Sequence, residues 1–265
     1  MKHVVVTGGS RGIGFGLVNE FLRSGCMVTF TATSDATLNR ALDLLVEKWD
    51  NSRMRGVVCD VTRIRDLNTL RDFATKIFGP VDIWINNAGI TNEERMFGEL
   101  DPDNFTRIID TNVKGVMLAS HLAYNMMKDQ GGGFIYNMGG LGSDGRMRKG
   151  LTPYGTSKRA VQYFTRALSR EAEGGPVKVG LLLPGMVITD LVIDPIKKDP
   201  AGSRRFIRIL NIMAEEVGPV TEFLVDRIMI NTSNGATISF LSTAKMVKRF
   251  AAAPFVRRDI VSKYL

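Results

Sequence analysis

The chain has 265 residues, of which 44% are apolar and 23% charged, enough to bury a large core. Two cysteines, Cys26 and Cys59, and two isolated histidines, His3 and His121, do not provide a disulfide framework or a metal set, and no apolar run approaches the ~20 residues of a membrane helix. The net charge of +8 favours anionic partners such as phosphate-bearing cofactors.

The chain opens with a β-branched run at residues 3–7, which predicts a strand. Gly8-Gly-Ser10-Arg11-Gly12-Ile13-Gly14 follows at once. Apolar residues then recur at Ile13, Leu17, Val18, Phe21 and Leu22, the spacing of one helical face. Glycines at 8, 12 and 14 let the backbone turn tightly and approach a bound group, and the N–H groups of a helix start attract phosphate. Strand, glycine turn and helix in this order predict a nucleotide site. Because the strand starts almost at Met1, no signal or transit peptide is expected, and the expected location is cytoplasmic.

The alternation continues. Residues 27–31 predict a second strand, Leu38, Leu42, Leu45, Val46 and Trp49 a helix, residues 57–59 a third strand, and Ile64, Leu67, Leu70, Phe73 and Ile77 another helix. Residues 81–85 predict a fourth strand, ending in Asn86-Asn87-Ala88-Gly89. Asp101-Pro102 reads as an N-cap with proline at the first helical position, opening one long helix to about Asp129. Strands at 134–138 and 177–183 flank a helix that starts near Pro153.

This βαβα order predicts a single α/β domain over residues 1–265, a doubly wound parallel sheet with helices on both faces. Ligands of such sheets bind beyond the carboxyl ends of the strands. The glycine turn, Asp60, residues 86–89, the loop after Met138 and Pro184-Gly185 all fall at such ends. After Gly185 the pattern weakens, and residues 188–217, with Pro195, Pro200 and Gly202, predict a mobile lid over the crevice. A helix over 221–230, a closing strand over 236–240 and a tail over 241–265 complete the chain. From Leu191 onward 12 basic residues stand against 7 acidic ones. They are not interleaved with exposed aromatics, so a solvated basic face is the plain reading and no nucleic-acid partner is expected.

Tyr154 and Lys158 lie four apart and share a helix face, where the ammonium can approach the phenol. A free tyrosine titrates near pH ~10. A neighbouring cation lowers that value and makes the hydroxyl a usable acid or base.

Thr7-Gly-Gly-Ser-Arg-Gly-Ile-Gly14, Asn86-Asn-Ala-Gly89, Asn112, Tyr154-Gly-Thr-Ser-Lys158 and Pro184-Gly185 together resemble the short-chain dehydrogenase/reductase family over residues 2–190. The resemblance implies a Rossmann-type fold, a nicotinamide cofactor, and a homodimer or homotetramer paired through the helices from Asp101 and Pro153. It implies that Tyr154 protonates a carbonyl oxygen while hydride arrives, and that Lys158 lowers its pKa and holds the ribose. Asn112 would hold a water that relays protons to Lys158, Thr189 would contact the carboxamide, and Asp60 would stand at the adenine edge. Gly8, Ser10, Arg11, Gly12, Ile13, Gly14, Val61, Asn87, Ala88, Gly89, Pro184, Gly185 and Val187 would line the cofactor.

The second strand ends in Thr31-Ala-Thr33-Ser34, with no acid before Asp35. An acid at that end bonds a ribose 2′-hydroxyl and repels a 2′-phosphate. Arg11, Thr33 and Ser34 therefore predict NADPH over NADH.

One family mark is missing. Most members carry a serine two or three residues beyond the equivalent of Asn137, where this chain has Gly139-Gly140. Ser143, in a loop freed by Gly142 and Gly145, is the expected second donor to the oxyanion. Residues 134–145, 184–190, 220–225 and 231–240 further resemble the chlorophyll b reductases, which reduce the 7-formyl group of chlorophyll b or chlorophyllide b to a hydroxymethyl group. The implied substrate is that pigment, with another large apolar ketone, aldehyde or alcohol as the alternative and a nucleotide-binding regulator without chemistry as the rival class. The basic tail with Met246, Val247, Phe250 and Phe255 is expected to touch a pigment-bearing membrane surface.

Overall fold

Val4, Val5 and Val6 have no exposed surface at all, which marks β1 (His3–Val6) as a strand covered on both faces. Such strands read as unbroken apolar runs and belong to parallel sheets flanked by helices. The computed structural model bears this out for residues 1–199, 202–253, 255–256 and 258–265, which are the residues it describes. Pro200 and Arg257 lie outside the described residues. With β2 (Met27–Ala32), β3 (Met54–Val58), β4 (Ile83–Asn86), β5 (Gly133–Met138), β6 (Val177–Leu183) and β7 (Thr237–Ser239), β1 forms a 7-stranded sheet in the order β3-β2-β1-β4-β5-β6-β7. Every pairing is parallel.

Helices cover both faces. Leu17, Val18 and Phe21 of α1 (Gly12–Arg23), Leu38 and Leu45 of α2 (Asp35–Val46) and Leu224 and Ile228 of α9 (Val217–Ile230) share one core with Val4, Val6 and Phe30. Leu67 and Leu70 of α3 (Ile64–Phe78) and Ala119, Ala123 and Met127 of α5 (Gly115–Asp129) share the other with Val5, Trp84 and Ile135. Strand order reverses between β1 and β4. That reversal opens a crevice beyond the carboxyl ends, where α1 and the loop after β4 diverge.

The helix expected over 101–129 is interrupted. α4 (Pro102–Ile109) and α5 are joined by a π turn over Asp110–Lys114, which turns Asn112 fully inward. Periodicity at 3.6 residues cannot register one widened turn. Such turns often occur at functional positions.

The expected lid is built of two helices, α7 (Asp190–Lys198) and α8 (Arg204–Met213). Their Ile193, Ile196 and Leu210 form a small core with Ile188, Ala214 and the tail residue Val261. The pattern looked weak in sequence because these apolar partners come from the far end of the chain. The tail itself contains α10 (Thr243–Ala252), capped by Ser242, whose hydroxyl accepts the N–H of Lys245. α6 (Thr152–Glu171) completes the set. Among the described residues no helix is long and apolar enough to cross a membrane, and no cluster of His, Cys, Asp and Glu could hold a metal ion.

A buried polar chain locks the strands beneath the crevice. The indole N–H of Trp84 donates to Asn86 Oδ1 (2.9 Å), Asn86 Nδ2 donates to Ser120 Oγ (2.9 Å) and Asn137 Oδ1 (2.7 Å), and Asn137 Nδ2 donates to Thr165 Oγ1 (3.0 Å). Asn86 and Asn137 are register partners, so β4, β5, α5 and α6 are joined at one level. Replacing Asn137 by Ala orphans donors and acceptors in a dry site. It is expected to lower unfolding stability by roughly 2–4 kcal/mol in urea titrations, whereas a loss under about 0.5 kcal/mol would show that the chain of bonds is not structural.

Candidate active site

The start of α6 is fixed from outside the helix. The N–H of Tyr154 faces Asn92 Oδ1 (3.4 Å), and Asn92 Nδ2 donates to the carbonyls of Gly150 (2.7 Å) and Glu93 (2.6 Å). Asn92 is buried. Sequence reading did not single it out; its signal was a polar residue just beyond the Asn86–Gly89 turn. Tyr154 is half-buried, and a Cβ on Gly140 would lie 2.6 Å from the phenolic oxygen. A Cβ on Gly139 would lie 2.5 Å from Leu183 Cδ2 and 2.9 Å from Ser143 Oγ. Neither position accepts a serine without moving these neighbours.

Ser143 is committed to the loop. Its hydroxyl accepts the N–H of Gly140 (3.0 Å) and donates its one proton to the carbonyl of Lys158 (3.2 Å), in a site almost without exposure. Lys158 Nζ donates to the carbonyl of Met138 (3.1 Å) and lies 5.8 Å from the centre of the Tyr154 ring.

Burial dominates both ionisations. It pushes the Tyr154 phenol up to about 12 and the Lys158 ammonium down to about 8, because each charged form is penalised in a dry site. The shift on Tyr154 is opposite in sign to that expected from a neighbouring cation, and burial is its cause. At neutral pH the pair is a protonated phenol beside a largely charged ammonium.

Asn112 is held on all sides. Its Oδ1 accepts the N–H of Ile90 (2.8 Å), and its Nδ2 donates to the carbonyl of Ile90 (2.8 Å) and to Ser157 Oγ (3.0 Å). The absent side chain of Gly89 leaves a space between Asn112 and Lys158: a Cβ there would lie 3.2 Å from Asn112 Oδ1 and 3.4 Å from Lys158 Nζ.

The glycine turn lies across the crevice. Gly8 and Gly12 adopt φ of 64° and 55°, and a Cβ on Gly14 would come 2.0 Å from the carbonyl oxygen of Gly8. Asn87 Nδ2 donates to the carbonyls of Thr7 and Gly8 (both 3.0 Å), and the N–H groups of Asn87 and Ala88 donate to Thr7 Oγ1. No side chain caps α1, whose N-cap is the exposed Arg11. That leaves its first turn available to an anion. Ser10 and Ile13 flank this start, both part-exposed.

Thr33 and Ser34 are exposed after β2, with Ser34 facing the N–H of Thr37 (3.4 Å) as the cap of α2. Asp35 belongs to the first turn of that helix. The Asp60 carboxylate accepts the N–H and hydroxyl of Thr62 (2.9 and 2.8 Å), with Val61 buried beside it. Gly185 turns at φ 80° after Pro184, Val187 pairs with Glu215, and Thr189 Cγ2 lies 3.4 Å from where a Cβ on Gly12 would stand. All the expected residues thus gather at the carboxyl-end rim. An open groove of about 840 Å³ between α3 and α5, lined in part by Arg71, His121 and Asp129, carries none of them, so volume does not mark the site.

A family model described as short chain dehydrogenase matches residues 2–199. The chain belongs to the short-chain dehydrogenase family. It is 34% identical to "Chlorophyll(ide) b reductase NOL, chloroplastic" of Oryza sativa subsp. japonica, over 93% of this chain and 73% of that protein. It is also 34% identical to the 3alpha-hydroxysteroid dehydrogenase of Mediterraneibacter gnavus, over 72% of this chain and 76% of that one. The crystal structure of 3-ketoacyl-(acyl-carrier-protein) reductase from Brucella melitensis complexed with NADH superposes with a TM-score of 0.80 at 24% identity, covering 92% and 98% of the two chains, which shows the shared fold. As a short-chain dehydrogenase the protein is an oxidoreductase.

The buried ammonium leaves a thermodynamic mark. With a folded-state pKa of about 8 against 10.5, Lys158 binds fewer protons in the folded than in the unfolded chain between those values, so stability rises with pH across that window. Below pH 8 the penalty is fully present. Lys158→Met is expected to raise unfolding stability at pH 7, by up to roughly 3 kcal/mol, and to flatten the rise between pH 8 and 10. Chemical denaturation at pH 7, 8, 9 and 10 checks this, and a variant less stable than wild type at pH 7 would contradict it.

Proposed function

We propose that this short-chain dehydrogenase is an NADPH-dependent reductase that converts an aldehyde or ketone to an alcohol, with the 7-formyl group of chlorophyll b or chlorophyllide b as its leading substrate. The observation that supports this reading is the Tyr154 phenol, half-buried against Gly140 and protonated at neutral pH, with the Lys158 ammonium 5.8 Å from its ring centre. A group in that state gives a proton to a developing alkoxide, which is what carbonyl reduction requires. The pigment assignment rests on the similarity to the rice chlorophyll(ide) b reductase, which spans nearly the whole chain.

The tight turn at Gly8, Gly12 and Gly14 and the uncapped start of α1 fit a dinucleotide, whose nicotinamide would supply the hydride. Arg11, Thr33 and Ser34 present a cation and two hydroxyls for a 2′-phosphate. Asp60, Val61, Asn87, Ala88, Gly89, Pro184, Gly185, Val187 and Thr189 form the rest of the cofactor wall. Tyr154 is the acid, and Lys158 offsets the negative charge that develops as the proton leaves. Asn112 frames the space over Gly89 through which Lys158 would exchange protons. Ser143 serves the site by holding Gly140 and the Lys158 carbonyl; a direct share in the oxyanion requires its proton to leave that carbonyl.

The similarity to a bacterial 3α-hydroxysteroid dehydrogenase supports a second substrate class, another large apolar ketone or alcohol. Pairing through α4, α5 and α6 into a dimer or tetramer is part of the proposal. So is contact with a pigment-bearing membrane, for which Val247, Phe250 and Phe255 stand exposed beside Lys248 while Met246 is turned toward Arg146. Co-sedimentation with anionic liposomes at low salt checks that contact.

Wild-type protein is expected to oxidise NADPH with chlorophyllide b, and Tyr154→Phe to lose about 10²–10⁴ of that rate while still binding NADPH. Turnover of steroid ketones with none on any formyl pigment would replace the substrate. The rate should hold through neutral pH and fall above about pH 8 as Lys158 loses its charge. Arg11→Ala should raise the NADPH KM by about tenfold and leave that for NADH unchanged, since it removes a charge-assisted bond to the 2′-phosphate alone. Equal effects on both cofactors would refute the phosphate assignment.

A further inference from the structure

The segment after β6 crosses the whole crevice. At one end Thr189 stands over the glycine turn, as its approach to Gly12 records. Farther along, Phe206 of α8 packs beneath the guanidinium of Arg148, whose Cζ lies 3.6 Å from the ring centre. Arg148 belongs to the loop between β5 and α6 that also carries Gly140 and Ser143. Its guanidinium is held by the Glu94 carboxylate through Nη2 to Oε2 (2.6 Å), Nη2 to Oε1 (2.8 Å) and Nε to Oε1 (3.0 Å). Two residues before Glu94, Asn92 bonds the carbonyl of Gly150 and faces the N–H of Tyr154. The lid, the glycine loop and the start of α6 therefore meet around one arginine.

The two ends of α8 are held by different kinds of contact. At its carboxyl end Asn211 Oδ1 accepts the N–H groups of Ile260 and Val261 (3.0 and 3.1 Å), Arg249 donates to the carbonyl of Met213 (2.6 Å), and Arg258 donates to that of Ile212 (3.1 Å). Both arginines also pair with Glu215, only 19% exposed, whose backbone bonds Met186 and Ile188. Leu210 and Val261 are fully buried there. At the amino end Phe206 and Ile207 rest half-buried on the edge of the same small core, and Phe206 also stacks on an ion pair whose members are 24% and 44% exposed. Buried apolar contact with several satisfied hydrogen bonds resists opening. A stack and an ion pair open to water do not.

We propose that Arg148 is a positioning residue that latches the lid: its guanidinium holds Phe206, and release of that stack lets the amino-terminal turns of α8 lift from the glycine loop while its carboxyl end stays on the anchor at Glu215 and Asn211. Closure brings the lid back onto the loop that carries Gly140, shuts water out of the space around Tyr154 and retains a substrate beneath α8. Arg148 touches no reacting atom. The latch goes beyond the reductase reading, and its first readout needs no substrate.

Hydrogen exchange measured by mass spectrometry on the full chain with NADPH present decides it. In Arg148→Ala and Phe206→Leu the amides of residues 204–213 are expected to exchange about tenfold faster, with peptides over 177–183 and 258–265 unchanged and the melting temperature preserved. Phe206→Tyr, which keeps the stack, should exchange like wild type. Unchanged exchange over 204–213 in Arg148→Ala would overturn the latch. Equal acceleration over 258–265 would overturn it too, because lid and tail would then open as one body. With chlorophyllide b the two latch variants should raise KM about tenfold and keep kcat, and Phe206→Tyr should restore KM. A wild-type protein inactive on that pigment would sink the substrate assignment while leaving the exchange result to judge the latch.

Discussion

The phenolic oxygen of Tyr154 packs so closely on Gly140 that one added carbon there would reach 2.6 Å from it. Much of the site follows from this contact. A residue with a side chain at 140 would push the ring out toward the crevice, so the loop after β5 must pass the tyrosine as bare backbone. Once it does, something else has to hold that backbone, and the Ser143 hydroxyl does so by bridging the Gly140 N–H and the Lys158 carbonyl. The serine expected to face substrate instead fastens the loop to the helix that carries Tyr154.

The same packing sets the electrostatics. The Tyr154 phenol, packed on Gly140, loses hydration, and so does a lysine whose ammonium reaches a strand-end carbonyl instead of solvent. Each is shifted toward its neutral form, which for tyrosine is the proton donor. Mutual attraction in such a site favours the pair only once negative charge appears on the phenol or on a bound oxyanion.

Below the crevice the constraint is hydrogen-bond satisfaction. Asn86 and Asn137 stand opposite each other at the ends of β4 and β5, where neither can reach water, and each is answered by a neighbour from α5 or α6. Above it the constraint is apolar area. Two short helices cannot bury their apolar faces alone, and the tail closes their core with Val261, Ile260 and Tyr264. Tail residues thus complete the core on which α7 and α8 rest.

The sheet, its parallel sense and the gathering of the glycine turn, Asn87, Tyr154, Lys158 and Gly185 at one rim were legible in the sequence. They depend on local patterns: β-branched runs, 3.6-residue periodicity, and glycines where the backbone must turn or approach a ligand. What only the tertiary structure decided depends on residues distant in the chain. The π turn at Asn112 exists beside a bonding partner at Ile90, and the lid's two helices share a core with a tail roughly fifty residues further on. Asn92 gains its place only when the loop after β4 meets the start of α6. The sign of the Tyr154 shift belongs to this second group: spacing on one helix brings an ammonium near a phenol, but how far burial strips both of water is set by Met138, Gly140 and the strands behind them.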